Sequence, residues 1–201
     1  MGNKKSSMGI RIYSLVFFPV LSALFFVLIP AWSLRVAQIV LLIIVCNLFV
    51  WILLKPKNVD KIIRKTNVIF VICQIDLFSL FILGVFWRVW GGTNWLAGLL
   101  LVIFLCSAIV GHRYRKIVLQ EAIAPRTKLG ITLLVMGFVG PAFAGGLVYA
   151  LGNLLEHTVG TTVMMKCLTA AFVPISIYLV TILHASWLKV EQPDWKPIRR
   201  K

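Results

Sequence analysis

Acidic residues are scarce in this sequence. Only 6 Asp and Glu residues stand against 21 Lys and Arg residues, and charged residues of either sign occupy 13% of the 201 positions. Hydrophobic residues reach 60%, whereas a typical globular domain is about a quarter charged and about half apolar. So few charges cannot cover the surface of an ordinary soluble domain. The composition therefore predicts a membrane protein.

Recognisable catalytic motifs are also missing from the chain. It contains no HExxH, no GxSxG, no phosphate-binding glycine loop and no paired aspartates for a metal. Glu156 beside His157 is a weak metal or proton pair, and His112 with His184 is an equally weak haem pair. We therefore expect a protein that is not an enzyme and that holds no metal or other cofactor.

The four cysteines lack the spacing of a disulfide framework or a zinc site. None belongs to a CxxC pair, and all lie within apolar runs. A thiol in such surroundings is an inert, small hydrophobic residue. The residues concerned are Cys46, Cys73, Cys106 and Cys167.

Long apolar runs are what the sequence has in abundance. A helix needs about 20 residues to cross a hydrocarbon core of about 30 Å. Only helices and closed barrels satisfy the backbone there, and these runs lack the alternation of barrel strands. We predict an all-α integral membrane protein, a polytopic bundle of about six transmembrane helices that forms a single transmembrane domain over residues 1–201. The predicted spans are residues 11–32, 34–54, 66–87, 95–111, 129–155 and 163–187.

Basic residues predict the orientation of these spans. All Lys and Arg residues except Arg35, Arg88 and Lys166 fall in the N-terminal segment, the second and fourth connections, and the C-terminal tail. The positive-inside rule then places both termini in the cytoplasm, and we expect the bacterial inner (plasma) membrane. Positive charge in short clusters between apolar runs argues against nucleic acid as a partner. It favours contact between the basic cytoplasmic loops and anionic lipid headgroups.

Asp76 is the acidic residue that lies deepest in a predicted span. It lies about 15 Å into the third span, near the bilayer midplane. A carboxylate at that depth costs about 2.5–3.5 kcal/mol, so Asp76 is expected to face protein or water. Cys73 and Ser79 lie three residues away on either side and complete a polar stripe on one helix face. Two roles stay open: an acid in a transport path, or a hydrogen bond to a neighbouring helix.

Two other predicted spans offer polar side chains at compatible depths. Asn47 lies in the second span, and Tyr178, Thr181 and His184 recur every three residues in the sixth. We predict an intramembrane polar site from these residues together with those of the third span. Asp76, Tyr178 and His184 would mark a path for a proton or a solute.

The fifth predicted span contains a cluster of helix-breaking residues. Gly140, Pro141, Gly145 and Gly146 lie within seven positions of one another. Proline removes a helix hydrogen bond, and broken helices of this kind occur at transporter binding sites. Small residues also let a second helix approach closely without forming any site. Both interpretations stay open.

The connection at residues 112–128 is predicted to extend the fourth helix as an amphipathic stretch. Pro125 is expected to end it. Tyr114, Ile117 and Val118 would form its apolar face, and Glu121 would point outward. Such a helix at headgroup level would meet anionic lipid or a cytoplasmic partner.

Three functions are compatible with this sequence. The preferred one is a transporter- or channel-like protein for a small solute, because of Asp76 and the broken fifth span. The alternative is a non-catalytic membrane subunit or assembly factor of a larger complex, with a protein partner or a homo-oligomer. The third, a membrane enzyme acting on lipid-linked phosphates, is favoured only by the basic loops.

Overall fold

The computed structural model describes residues 16–53, 60–144 and 146–197. All regular structure in these ranges is helical, which confirms the predicted all-α class. The described helices are, in chain order, α1 (Phe17–Leu28), α2 (Leu34–Leu53), α3 (Asp60–Val89), α4 (Asn94–Arg113), α5 (Arg115–Ile123), α6 (Lys128–Ala144), α7 (Gly146–Val159), α8 (Thr161–Ala170), α9 (Phe172–Ser186) and α10 (Leu188–Glu191).

Three described stretches are long and apolar enough to cross a membrane. They are Lys65–Val89 within α3, Asn94–Arg113, which is α4, and Thr161–Glu191, which comprises α8, α9 and α10. They coincide with the third, fourth and sixth predicted spans. Shorter apolar helices lie in the other three predicted spans, and within the described ranges they are Phe17–Leu28, Leu34–Val50 and Lys128–Phe138.

The sixth predicted span is interrupted between α8 and α9. Pro174 has no N–H to donate, and its ring crowds the carbonyl group of Ala170, where α8 ends. The N–H of Ala171 instead donates to the carbonyl oxygen of Leu168 at 3.3 Å, a tighter turn than that of an α-helix. The interruption therefore lies one turn before the proline.

The fifth predicted span contains α6 and α7. Gly140 and Pro141 lie within α6, and Gly146 is the first residue of α7. Gly145 lies outside the described residues, as do the side chains at 139–151. A functional break at this position stays a prediction.

Contacts group the chain into two compact units, Met1–Ile82 and Leu83–Lys201, with the boundary inside α3. In the first unit, α1, α2 and α3 share an apolar cluster that contains Ala23, Val27, Val40 and Phe81. The rings of Phe26 and Phe81 stack with centroids 6.0 Å apart. Large side chains therefore fill the space between these helices.

In the second unit, α4 and α9 approach each other closely at Gly111. A Cβ atom added there would collide with the carbonyl oxygen of Thr181 and would lie 3.0 Å from the Cβ of His184. Ser107 precedes Gly111 by one helical turn, and Ala185 follows Thr181 by one turn. Small residues one turn apart on both helices permit this short separation.

Glu121 joins the end of α5 to the start of α6. Only 6% of the residue is exposed, and its Oε2 accepts the backbone N–H groups of Arg126 at 2.7 Å and Thr127 at 2.9 Å. These two bonds hold the pKa of Glu121 below its usual value. The prediction that Glu121 points outward is wrong, because the N–H groups before α6 have no helical acceptor and the carboxylate supplies one.

The predicted helix in this connection is present as α5, but its buried and exposed residues differ from those expected. The helix ends at Ile123, before Pro125, as predicted. Val118 and Leu119 are buried against α6 and the last helices, whereas Tyr114 and Ile117 are each 55% exposed. Of the predicted apolar face, only Val118 is buried.

The C-terminal segment folds back onto α5 through polar contacts. Arg115 and Glu191 form an ion pair at 2.7 Å, and the indole N–H of Trp187 donates to Glu191 at 3.0 Å. Lys189 donates to the carbonyl oxygen of Trp195 at 2.6 Å. These contacts fix the position of the C-terminal segment as far as Trp195.

Candidate membrane-embedded polar site

The middle of α3 carries a group of polar side chains inside an otherwise apolar stretch. Asp76 lies about 16 Å from Lys65 and about 20 Å from Val89 along the helix axis, which places it near the centre of the membrane-length stretch. The members of this group are Cys73, Gln74, Asp76 and Ser79.

Gln74 makes a hydrogen bond that joins α3 to α2. Its side-chain amide donates to Oδ1 of Asn47 at 2.8 Å, and Gln74 itself is completely buried. The other amide atom, Oε1 of Gln74, is also shielded from solvent and accepts no hydrogen bond from the described residues. A buried acceptor left without a donor destabilises a protein by about 1–3 kcal/mol. This oxygen can therefore accept a hydrogen bond from a water molecule or a ligand.

Asp76 and Ser79 present oxygen atoms on a different face of the same helix. Oδ1 of Asp76 and Oγ of Ser79 are both shielded from solvent, and Ser79 is 0% exposed. Residues three apart share a helix face, whereas Gln74 and Asp76, two apart, are separated by about 200° around the axis. The contact between Gln74 and Asn47 is therefore separate from the predicted polar stripe of Cys73, Asp76 and Ser79.

The candidate residues of α9 have different surroundings. Thr181 is buried and donates from Oγ1 to the carbonyl oxygen of Ser107 at 3.5 Å. His184 lies beside Gly111 at the same helix contact. The structure thus gives Thr181 and the Cβ of His184 a packing role between α4 and α9.

Tyr178 lines a small recess formed by α5, α6 and α9. A Cβ atom added at Gly137 would lie 2.9 Å from the Tyr178 ring, so the ring occupies the space above this glycine. The recess measures about 210 Å³, and apart from the Tyr178 hydroxyl group its lining side chains are apolar. They are Ala122, Leu133, Leu134, Gly137, Phe138 and Tyr178.

The predicted site residues divide between the two compact units. Asn47, Asp76 and Ser79 belong to the first unit, and Tyr178, Thr181 and His184 to the second. The path from Asp76 past Tyr178 to His184 stays a prediction. Within the first unit, the structure brings Asn47 to Gln74, a partner that sequence reasoning missed.

Two features escaped prediction for identifiable reasons. Gln74 carries no charge, so it does not stand out in an apolar run as Asp76 does. Its pairing with Asn47 needs the register between two helices, which one sequence does not reveal. Ser107 and Gly111, by contrast, show the small-xxx-small spacing that predicts close helix packing, and this signal could have been found.

The chemistry of the α3 group is that of hydrogen-bond and cation acceptors. Oxygen atoms of an amide, a carboxylate and a hydroxyl group can receive a proton, an N–H or O–H donor, or a small cation. Among the described residues, no three His, Cys, Asp or Glu side chains come together to hold a metal ion.

Comparison with protein-family models, curated proteins and solved structures found no match to this chain.

Proposed function

We propose that this chain is a six-span membrane protein that acts as a transporter- or channel-like path for a small solute. Both termini lie in the cytoplasm, and the membrane is the bacterial inner (plasma) membrane. The observation that carries this proposal is Asp76, an acidic residue near the centre of the membrane-length stretch of α3.

Energetics favour a functional role for this group. A carboxylate at the centre of a bilayer costs about 2.5–3.5 kcal/mol, and a helix–helix hydrogen bond in a membrane returns only about 0.6–2 kcal/mol. Packing alone would be served better by apolar side chains, which carry no such penalty. Gln74 adds an acceptor oxygen to which no described residue donates. A small solute with an N–H or O–H group can donate to this oxygen.

The proposed topology rests on the distribution of Lys and Arg residues and has a direct test. Thr127 and Thr158 are both exposed and lie in the connections assigned to opposite sides of the membrane. In a chain without its native cysteines, Thr158→Cys in intact cells should react with a membrane-impermeant maleimide. Thr127→Cys should react only after the membrane is permeabilised. Labelling in the opposite order would overturn the proposed orientation.

Asp76→Asn tests the transport role. We expect proteoliposomes to take up at least one solute from a panel of labelled amino acids, sugars and polyamines. The driving force is a proton gradient, with the more acidic solution outside. Asp76→Asn should lower that uptake to the level of empty liposomes, because the amide holds no exchangeable charge.

Two controls accompany this experiment. Thermal unfolding should show that Asp76→Asn remains folded, and Ser186→Ala provides a hydroxyl change away from α3. Ser186 donates only to the carbonyl oxygen of Leu183 in its own helix, so its variant should keep full uptake. Uptake retained in folded Asp76→Asn would show that the carboxylate is not needed for transport.

The competing proposal is a non-catalytic membrane subunit or assembly factor. It predicts no uptake of any solute and a protein partner that remains bound in fixed stoichiometry after gentle extraction. The same extraction would reveal a homo-oligomer by its mass.

A further inference from the structure

The recess beside Tyr178 continues into an exposed apolar strip on α6. Ile131, Leu134, Val135 and Phe138 are 59%, 45%, 56% and 65% exposed. They recur every three or four residues and so lie along one side of the helix. Leu134 and Phe138 also line the recess, which therefore opens onto this strip.

The size and lining of the recess suit a hydrocarbon segment. Its volume is about 210 Å³, and a water-sized group occupies about 30 Å³. Several methylene groups can therefore fit in it. The only polar atom contributed by a lining side chain is the hydroxyl oxygen of Tyr178.

Positive charge lies at the start of the same helix. Arg126 and Lys128 are both exposed. Gly137 lies nine positions after Lys128, which is about 13 Å along the helix axis. The nearby carboxylate of Glu121 is buried and accepts backbone N–H groups. The exposed charge at this end of α6 is therefore positive.

We propose that this surface binds one anionic phospholipid, with its phosphate at Arg126 and Lys128 and an acyl chain along α6 in the Tyr178 recess. The charge of the two cations is complementary to the phosphate, and the separation of about 13 Å suits an acyl chain that leaves the headgroup region. This inference rests on insertion of α6 in a membrane. It does not depend on transport at α3.

The test is a binding titration on full-length, delipidated protein in a neutral detergent. The ligands are dioctanoyl phosphatidylglycerol, dioctanoyl phosphatidylcholine with the same chains, and glycerophosphoglycerol, which is phosphatidylglycerol without its acyl chains. Microscale thermophoresis gives the affinity of each. We expect phosphatidylglycerol to bind at least tenfold more tightly than either of the others, because it alone uses both the charge and the recess.

Two pairs of variants locate the site. Arg126→Gln with Lys128→Gln should weaken phosphatidylglycerol binding about 30-fold, since each basic residue near a membrane surface contributes about 1 kcal/mol. Lys116→Gln with Lys196→Gln removes the same charge from other exposed positions and should change the affinity less than threefold.

The second pair tests the recess. Leu134→Trp places a bulky indole ring in the recess and should weaken binding at least tenfold. Leu101→Trp makes the same change at an exposed position of α4 and should have no effect. Equal binding of the two phospholipids would overturn the proposal, as would glycerophosphoglycerol binding as tightly as phosphatidylglycerol. A site variant that weakens binding no more than its control would overturn it as well. Uptake by the proteoliposomes bears on the α3 site alone, so the two proposals can fail separately.

Discussion

The two compact units satisfy their buried polar groups to different degrees. In the unit Leu83–Lys201, the buried Glu121 carboxylate accepts two backbone N–H groups. In the unit Met1–Ile82, Gln74 donates to Asn47 but keeps a buried oxygen to which no described residue donates. The Glu121 carboxylate therefore stabilises the α5–α6 connection, whereas Gln74 in α3 keeps the capacity to accept one more hydrogen bond.

The packing between helices also differs between the two units. The first unit fills the space between its helices with large side chains, as in the stacked rings of Phe26 and Phe81. The second unit brings α4 and α9 together over Gly111, where even a methyl group meets the backbone of Thr181. A substitution that enlarges the side chain at Gly111 should therefore be poorly tolerated.

Gly111→Leu should have the largest effect of the substitutions considered. Overpacking destabilises a protein by about 1–3 kcal/mol, and backbone atoms cannot move aside as a flexible side chain can. We expect a loss at the upper end of this range, measured as the midpoint of thermal unfolding in detergent. Gly98→Leu on the same helix is the matched control, because nothing lies within 4 Å of a Cβ atom there. Equal unfolding midpoints for the two variants would refute the close contact of α4 and α9.

Glu121→Gln should remove a pH-dependent part of the stability. The folded-state pKa of Glu121 lies below its ordinary value because the N–H groups of Arg126 and Thr127 favour the carboxylate. The stabilisation is therefore present above about pH 4.3, the usual pKa of Glu, and is lost as the pH falls through the lower folded-state pKa. Thermal unfolding from pH 7 to pH 3 should show a shallower acid dependence in Glu121→Gln than in the wild type.

The control for this prediction is Glu191→Gln. The Glu191–Arg115 pair has side chains 38% and 28% exposed, and exposed ion pairs contribute about 0–1 kcal/mol. Glu191→Gln should change the unfolding midpoint at pH 7 less than Glu121→Gln does. The opposite ranking would show that the carboxylate of Glu121 does not anchor the α5–α6 connection.

Separation of Asn47 from Gln74 should have a smaller effect than Gly111→Leu. Hydrogen bonds between membrane helices contribute about 0.6–2 kcal/mol. We expect Asn47→Leu to lower stability by about 1 kcal/mol, because it leaves the buried amide of Gln74 without an acceptor. Adding Gln74→Leu should recover part of that loss, since both polar groups are then gone. A double-mutant cycle of unfolding midpoints with zero coupling would contradict the observed bond.

Sequence patterns predicted the parts of the fold that depend on local composition. The third, fourth and sixth apolar runs predicted the membrane-length helices, and Pro125 predicted where the amphipathic stretch ends. The surroundings of Glu121 and Gln74 could not be predicted in this way. Glu121 is buried because N–H groups at the start of the next helix need an acceptor, and Gln74 pairs across two helices. Both depend on tertiary contacts that a single sequence does not specify.

Native mass spectrometry of the protein, extracted gently from its own membrane, tests the central claim most directly. The proposed solute site at α3 predicts a single chain or a homo-oligomer that carries a bound small molecule, and Asp76→Asn should lose that molecule while keeping the same assembly. A different protein bound in fixed stoichiometry, with no small molecule retained, would contradict the transport proposal. It would make Asp76 and Gln74 contacts between helices of a larger complex.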